Sequence, residues 1–307
     1  MATFSALMPE LLEPWVTKIF FDEYSAIEPM FSKLFNIKSS TKAFEDTFRV
    51  SKLGTFVLKP EGTPISYDDP VQGGRKRVVH STYALGFRVT MEAMSDEQHG
   101  IIAKMPQDLG ASARDHKENL AFGLLNDAFT GTTFTGMPEG DGTRRALCST
   151  GHIRLKDGGT SSNRLNPDVA FSVSGIESAL TNMRLTVDES GRFIRLSPSL
   201  VVAHPNEEWN IAQVLQSDKE PFTADNQINA VSTNRIGVNS MLVPYLSDTD
   251  NWWLMTAKCQ HSLTWYDRMG LEFGRNKDAQ TKDSLYDAMY RASVTFDEWR
   301  RIVGSAP

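Results

Sequence analysis

The segment that decides the fold reads GTFVLKPEGTPISYDDPVQGGRKRVVH at residues 54–80. Its four glycines and three prolines argue against a helix or a central strand, because proline cannot donate the backbone hydrogen bond that either needs. Loops longer than about 12 to 15 residues are uncommon in compact domains and usually carry a function. As a hairpin with about 10 residues per limb, at about 3.3 Å per residue, the segment reaches about 30 Å. We therefore predict an arm that leaves one domain and crosses a neighbouring one.

Strand-like sequence flanks this arm on both sides. Strand-like runs begin at Phe48, and after the arm Leu85, Phe87, Val89 and Met91 alternate with small or polar residues. A period of two is typical of a strand with one buried face. The arm is therefore expected to leave a folded core and to return to it.

The composition is that of a globular protein. The chain has 307 residues, of which 40% are hydrophobic, enough for one large core or two ordinary ones. The net charge of -6 lacks the basic excess of a dedicated nucleic-acid binder, so contact with DNA is expected to be weak and local. Cys148 and Cys259 form no CxxC pair, which predicts free, buried thiols in a reducing cytoplasm. We expect a soluble protein without signal peptide or membrane contact, since no apolar run approaches about 18 residues.

Residues 7–35 carry apolar and aromatic side chains at mixed helical spacings, and three prolines interrupt them. The pattern predicts short, kinked helices with apolar sides. So much aromatic surface near a terminus needs a cover, either the domain's own core or a neighbouring chain. The sequence leaves both covers open.

The middle of the chain predicts a long helix followed by loops. Ser95 and Gln98 form a capping box, and apolar or small residues recur at helical spacing to about Phe129, with Pro106 as the place for a kink. Glycine, threonine, serine and asparagine dominate residues 131–166, which predicts loops and a domain boundary.

The remainder predicts an α+β unit and then a long hairpin. A capping box at Ser174 and Glu177 starts a helix that Gly191 ends, and Pro205 starts another. Apolar runs and period-two alternation predict five strands, at residues 200–203, 241–243, 252–255, 263–273 and 286–296.

The sharpest charge run is Arg75-Lys76-Arg77. It is either a solvated loop tip, since exposed charges need no partner, or a clamp on an acidic patch of a neighbouring chain. The length of the surrounding loop keeps both interpretations open.

No residue pattern points to catalysis or to metal binding. The histidines lack metal-ligand spacing apart from His261 with Cys259, and two ligands fall short of the four that zinc normally takes, so packing is favoured. Residues 140–145 lack the full Walker pattern and its lysine, and no Gly-x-Ser-x-Gly elbow occurs. We predict no enzyme, no catalytic residue, no metal and no cofactor.

Several strings carry a resemblance to a known family by their order and spacing. They are FFDEY at 20–24, YDDP at 67–70 with GG at 73–74, YALGF at 83–87, Ser161 with NRL at 163–165, and NQINA at 226–230 before PYL at 244–246. Over nearly its whole length the chain resembles the major capsid protein of tailed bacteriophages, close to the Mu-type major head subunit group within the Hong Kong 97-type capsid fold.

The resemblance implies an α+β fold with four parts. An N-terminal arm would span residues 1–47, and an extended loop with its base strands, residues 48–93, would overlap an adjacent subunit. A peripheral domain with a long spine helix on antiparallel strands would combine residues 94–149 and 262–307. An axial domain would span residues 150–261.

The implied function is a major head protein that self-assembles into hexamers and pentamers of an icosahedral shell around double-stranded DNA, built in the host bacterial cytoplasm. Implied partners are a scaffold protein, a maturation protease, a portal, and decoration or cement proteins. A scaffolding segment was either cleaved or is replaced by a separate scaffold protein. Covalent cross-linking is not expected, because no motif for it accompanies the loop lysines.

The candidates for inter-subunit contact come from the loop and the N-terminal arm: Arg75, Lys76, Arg77, Tyr67, Asp68, Asp69, Phe20, Phe21 and Tyr24. An encapsulin-like protein compartment with the same fold is the alternative. A hydrolase with an unfamiliar site is a third hypothesis, for which the sequence supplies no activated nucleophile or metal set.

Overall fold

The structure is a computed structural model. It describes residues 4–90, 92–93, 101–217, 219, 229, 231, 237–281 and 283–307. The chain forms two compact units. The first comprises Met1–Phe44, Val79–Ala121 and Trp265–Val294, and the second comprises Glu45–Val78, Phe122–Thr264 and Thr295–Pro307.

The described helices and strands follow one another as a mixed α+β set. The α-helices are α1 Phe4–Ser25, α2 Phe31–Leu34, α3 Ile101–Asn126, α4 Val173–Arg184 and α5 Glu208–Gln216, the last preceded by a 3-10 turn at Pro205–Glu207. The strands are β1 Asn36–Ser39, β2 Phe44–Val50, β3 Gln72–Val79, β4 Ser81–Val89, β5 His152–Ile153, β6 Thr160–Ser161, β7 Pro198–Ala203, β8 Asn239–Leu242, β9 Trp252–Thr256, β10 Thr264–Lys277, β11 Ser284–Thr295 and β12 Ile302–Ser305.

The first unit contains a four-stranded sheet in the order β1-β10-β11-β4. Strands β11 and β4 pair antiparallel, with Ser284 opposite Val89 and Ala292 opposite Ser81. Alternate residues of β11 from Tyr286 to Ala292 are buried, which confirms the predicted period of two. Strand β10 continues to Lys277, so the linker between the long strands is shorter than predicted.

Helix α1 lies on α3 in the first unit. At Gly110 of α3 a Cβ atom would lie 2.7 Å from the carbonyl oxygen of Phe20, so only glycine allows this approach. The ring of Phe20 is fully buried and stacks on Phe273 at a centroid distance of 4.7 Å. The prediction of several short helices was wrong for Phe4–Ser25, which is one helix that packs on α3 around Phe20.

Helix α3 confirms the long helix of the sequence prediction. It includes Pro106 and ends at Asn126, three residues before the predicted end. The predicted capping box, Ser95 and Gln98, lies outside the described residues. The loops predicted for residues 131–166 are confirmed, with only the short β5 and β6 pairing among them.

The core of the second unit surrounds a sheet in the order β12-β9-β7-β8. Strand β7 pairs antiparallel with β9 and parallel with β8. Trp252 and Trp253 are both buried: Trp252 packs in the main hydrophobic cluster, and Trp253 stacks on Phe129 at 5.6 Å. The strands predicted at residues 200–203, 241–243 and 252–255 are confirmed within two residues.

The ends of α4 differ from the prediction. Its N-cap is Ser172, whose Oγ accepts a hydrogen bond from Gly175 N at 3.1 Å, and not Ser174. The helix ends at Arg184 instead of near Gly191, because Thr186 already accepts a backbone bond from Ile194 N at 2.9 Å. The helix predicted to start at Pro205 is confirmed.

Candidate inter-subunit contact surface

The predicted arm is divided between a strand and an irregular segment. Strands β2 and β3 pair with each other, and residues 51–71 between them contain no helix or strand. The sequence argued against a helix or a central strand in this segment, and β3 is not a central strand, since it belongs to a sheet of two strands. A Cβ at Gly74 would lie 2.6 Å from Pro138, so this glycine serves a close packing contact within the strand. The name "arm" is used below for residues 51–71.

Hydrogen bonds close the base of the arm. Ser51 N donates to the carbonyl oxygen of Val71 at 2.8 Å, and Val71 N donates to Ser51 Oγ at 2.8 Å. Behind them, the buried Arg49 reaches Glu189 at 3.3 Å and donates to the carbonyl oxygen of Asp297 at 2.9 Å. Glu189 also pairs with Arg300 at 2.9 Å. The arm thus projects from a base that buried ion pairs hold in place, since breaking such a pair typically costs about 3 to 5 kcal/mol.

The arm exposes large apolar side chains along its length. Phe56 is 107% exposed, Leu58 is 89% exposed and Tyr67 is 88% exposed. Exposed large apolar residues between 45 and 78 are Phe48, Val50, Leu53, Phe56, Val57, Leu58, Ile65, Tyr67 and Val71. A concentration of apolar surface of this kind marks a protein interaction site.

The basic run divides into two sides because neighbouring strand residues point in opposite directions. Arg77 grips Asp46 through two hydrogen bonds, at 2.9 and 3.0 Å, and the exposed Arg75 lies 3.7 Å from the same carboxylate. Lys76 is buried between them, and its Nζ donates to the carbonyl oxygen of Phe296 at 2.7 Å. Burial lowers the pKa of Lys76 to about 8, against the opposing charge of Asp297.

The interpretation of the run as a solvated loop tip was therefore wrong for Lys76. Its ammonium group lies 4.6 Å from the centroid of the Phe296 ring, so its charge interacts with residues of its own unit. Arg144 donates to the carbonyl oxygen of Arg75 at 3.2 Å and adds a third exposed guanidinium beside Arg75 and Arg77. The exposed part of the run is a cluster of arginines with one shared carboxylate.

The acidic string of the arm has a partner that sequence reasoning missed. Asp68 accepts a hydrogen bond from Gly54 N at 2.6 Å and forms an ion pair with Lys156. The hydrogen bond from Lys156 lowers the pKa of Asp68. Lys156 lies in the loop after β5, and nothing in the sequence links it to the arm. Asp68 thus holds the two limbs of the arm together, while Tyr67 stays exposed.

The N-terminal candidates separate into buried and exposed side chains. Phe20 belongs to the core, and Tyr24 accepts a hydrogen bond from Lys117 Nζ at 2.8 Å. Phe21 is 39% exposed and contacts the edge of the Phe20 ring at 5.0 Å. The sequence left two partners possible for this aromatic surface, the domain's own core or a neighbouring chain. For Phe20 the partner is the domain's own core.

The described residues hold no group of three or more His, Cys, Asp or Glu side chains placed for a metal ion. The prediction of buried thiols was wrong for Cys259, which is exposed, whereas Cys148 is buried. His261 is buried, and its burial, with Lys258 and Arg301 nearby, lowers its pKa to about 4. Asp141, in the turn at residues 140–145, pairs with Arg145 at 2.8 Å. None of the helices in the described part of the chain combines the length and hydropathy of a membrane span.

A family model described as phage capsid protein matches residues 75–305, most of the chain. The chain belongs to the phage capsid protein family. No curated protein matches it. As members of this family form the coats of phages, the capsid protein is a structural component of the virion capsid.

The capsid protein shares its fold with solved phage capsids. The capsid of a native GTA particle matches with a TM-score of 0.58 and 10% identity, over 92% of this chain and 92% of that chain. The mature capsid of bacteriophage PhiM1 matches with a TM-score of 0.58 and 11% identity, over 91% of this chain and 86% of that chain. The procapsid of bacteriophage JBD30 matches with a TM-score of 0.50 and 14% identity, over 98% of this chain and 75% of that chain. These likenesses show the Hong Kong 97-type α+β fold.

Family and fold together confirm the prediction of a tailed-phage major capsid protein. The encapsulin-like alternative is not better supported. Self-association into a capsid shell follows for the capsid protein from the same findings.

Proposed function

We propose that the capsid protein assembles into hexamers and pentamers of an icosahedral shell that encloses double-stranded DNA. The observation that carries this proposal is the arm, with Phe56, Leu58 and Tyr67 almost fully exposed on a base held by buried ion pairs. A monomer gains nothing from exposing these side chains, whereas a shell covers them with the adjacent subunit. The overlap of the arm with that subunit is the contact that links the copies.

The proposed parts are the N-terminal arm at 1–47, the extended loop at 48–93, the peripheral domain at 94–149 with 262–307, and the axial domain at 150–261. The β2-β3 pair with the arm supports the extended loop, and α3 supports the spine helix. The sheet of the second unit crosses one of these boundaries, because β12 pairs with β9.

The proposed contact residues are those that remain exposed. Arg75 and Arg77 form the clamp on an acidic patch of the neighbour, with Tyr67, Asp69 and Phe21 as further contacts. Phe20, Lys76 and Tyr24 support these contacts from within their own units, where each contacts an internal partner. Asp68 is exposed and pairs with Lys156, as the exposed Arg77 pairs with Asp46.

The proposed partners are other copies of the chain and, in the host bacterial cytoplasm, a scaffold protein, a maturation protease, a portal and decoration or cement proteins. Contact with packaged DNA is weak and non-specific, as the net charge of -6 implies. The proposed role involves burial and complementarity of surfaces, with no enzymatic turnover and no cofactor.

Electron microscopy of the expressed chain, alone and with scaffold candidates, tests the proposal. Closed shells with five-fold and six-fold clusters are expected. Only monomers or small oligomers, across a series of salt and scaffold conditions, would refute it.

A further inference from the structure

The first unit carries a half-open cavity of about 360 Å³ between α3 and the strands β4, β10 and β11. Its walls are mostly apolar or aromatic, and the residues that matter here are Tyr83, Leu85, Leu109, Ser112, Ala113 and Tyr290. This volume falls within the range of about 300 to 1,000 Å³ that accommodates a bound group. It is large enough for a single aromatic side chain.

Three rings form one end of the cavity. Tyr83 lies 4.8 Å from His116 and 5.4 Å from Tyr290, between ring centroids, and a hydrogen bond of 2.6 Å joins His116 Nδ1 to the hydroxyl of Tyr290. This bond satisfies the polar atoms that face each other, which leaves ring faces and edges for contact. Aromatic side chains favour such surroundings, with ring centroids about 4.5 to 7 Å apart.

The other walls are short side chains and aliphatic ones. The side chains of Ala113 and Ser112 on α3 are short and so leave the cavity open, and Leu109 and Leu85 also line it. Leu85 is 55% exposed and gives the opening an apolar edge, beside the exposed Thr82 and Ser112. Among the described residues, no Asp, Glu, Lys or Arg lines the cavity, which disfavours a nucleic acid or a charged peptide as the occupant.

The first limb of the arm has the matching chemistry. Residues 53–58 read LGTFVL and carry no charge, and Phe56 is the most exposed large apolar side chain in the described part of the chain. In an extended segment Phe56 and Leu58 point to the same side, with Val57 opposite. Phe56 lies five residues beyond Ser51 at the base of the arm, which is about 16 Å at about 3.3 Å per residue, so its ring projects far enough to contact a neighbouring copy.

We propose that the arm of a second copy places Phe56 in this cavity and Leu58 at its opening, beside Leu85. The inference rests on the proposed shell, and it names the surface that receives the arm. The ring of Phe56 packs against Tyr83 and Tyr290, and both partners are uncharged. The contact repeats from copy to copy, because every chain carries both the arm and the cavity.

A disulfide test locates the contact. In a Cys259→Ser background, which removes the exposed thiol, Phe56→Cys is combined with Ser112→Cys at the edge of the cavity. Shells are first verified by electron microscopy, then oxidised and analysed on a non-reducing gel. We expect a ladder of covalent oligomers from the double variant and monomer from either single variant.

Shells that form but give no ladder would overturn this inference and leave the proposed function intact. Absence of shells from the unmodified chain would instead overturn the proposed function, and this inference with it.

A second measurement does not depend on disulfide geometry. Phe56→Ala is expected to raise the concentration at which shells appear by about tenfold or more, as loss of a buried aromatic anchor does. The matched control is Phe193→Ala, a phenylalanine that is 72% exposed in the second unit and should leave the threshold unchanged. Circular dichroism of the unassembled chains checks that both variants fold. Equal thresholds for the two variants would overturn the proposal.

Discussion

Asp127, just after α3, offers a test of how much one carboxylate stabilises the capsid protein. Oδ1 accepts hydrogen bonds from Thr130 Oγ1 at 2.6 Å, Thr132 N at 2.8 Å and Thr132 Oγ1 at 2.7 Å. Oδ2 accepts from Thr133 N at 2.7 Å and Phe134 N at 2.6 Å. The loop after the helix is thus wrapped around a single side chain.

Asp127→Asn keeps the shape and removes one acceptor. The amide NH2 then faces at least one backbone N–H, whichever way the group is turned, because both oxygens of Asp127 accept from the main chain. Burial raises the pKa of Asp127, but the hydrogen bonds from Phe134 N and the threonines outweigh it and lower the pKa to about 2. Against an ordinary value of 3.8, this shift corresponds to about 2 kcal/mol.

Urea unfolding of the unassembled chain measures the loss. At pH 6 we expect Asp127→Asn to lower the free energy of unfolding by about 2 kcal/mol or more. The control Asp108→Asn, at an exposed position on α3, should change it by less than about 0.5 kcal/mol.

The pH dependence provides a second criterion. Because the pKa of Asp127 is lowered on folding, its contribution is present above the unfolded pKa and is lost as the pH falls toward 2. Between pH 6 and pH 3 the difference between wild type and Asp127→Asn should shrink by about 1 kcal/mol. A loss below about 0.5 kcal/mol at pH 6, or the same loss at both pH values, refutes the reasoning.

Three further predictions concern the clamp, the N-terminal segment and acid stability. Arg75→Gln with Arg77→Gln should slow shell assembly in light scattering, most at low salt, whereas Arg195→Gln, an exposed arginine elsewhere, should not; equal rates contradict the clamp. Glu118→Ala should cost about 2 to 4 kcal/mol in urea unfolding, because two backbone N–H groups lose their acceptor, whereas Asp108→Ala at an exposed position of the same helix should cost less than about 0.5 kcal/mol; equal losses contradict this role. The pKa of His261, lowered to about 4, predicts stability that is full above about pH 6.5 and falls by about 2 kcal/mol at pH 5; His261→Gln should remove this part of the pH dependence, and an unchanged acid loss contradicts it.

The sequence predicted those elements whose periodicity reflects burial. Tyr286, Ala288 and Tyr290 alternate with more exposed neighbours in β11 as their spacing implied, because one face of that strand is covered. The helix α3 was predicted for the same reason. In both cases the pattern that sequence reasoning uses is the pattern that packing requires.

Predictions based on glycine and proline were less successful, because these residues have more than one use. Gly73 and Gly74 indicated a break, yet they lie inside β3, where Gly74 lets the strand pass close to Pro138. The sequence cannot reveal this use, since Pro138 is distant along the chain. Similarly, the partnership of Asp68 with Lys156 depends on a fold that brings residues 88 positions apart together.

The position of the arm was predicted better than its composition. Residues 54–71 of the arm lie within the segment predicted from the sequence, but of the exposed apolar side chains there only Tyr67 was proposed from the sequence as a contact. The charge run gave a false impression because three consecutive charges were treated as one surface. Once β3 forms, period two sends Lys76 inward and leaves Arg75 and Arg77 outside.

This division between inward and outward side chains separates the stability of the chain from its assembly. Arg49 and Lys76 are buried at the base of the arm, so substituting them weakens the fold of the second unit. Phe56, Arg75 and Arg77 are exposed, so we expect substitutions there to leave the isolated chain folded and to act at the proposed contact between copies. An assembly defect without a loss of stability is therefore the signature that distinguishes the outward residues from those that hold the arm in place.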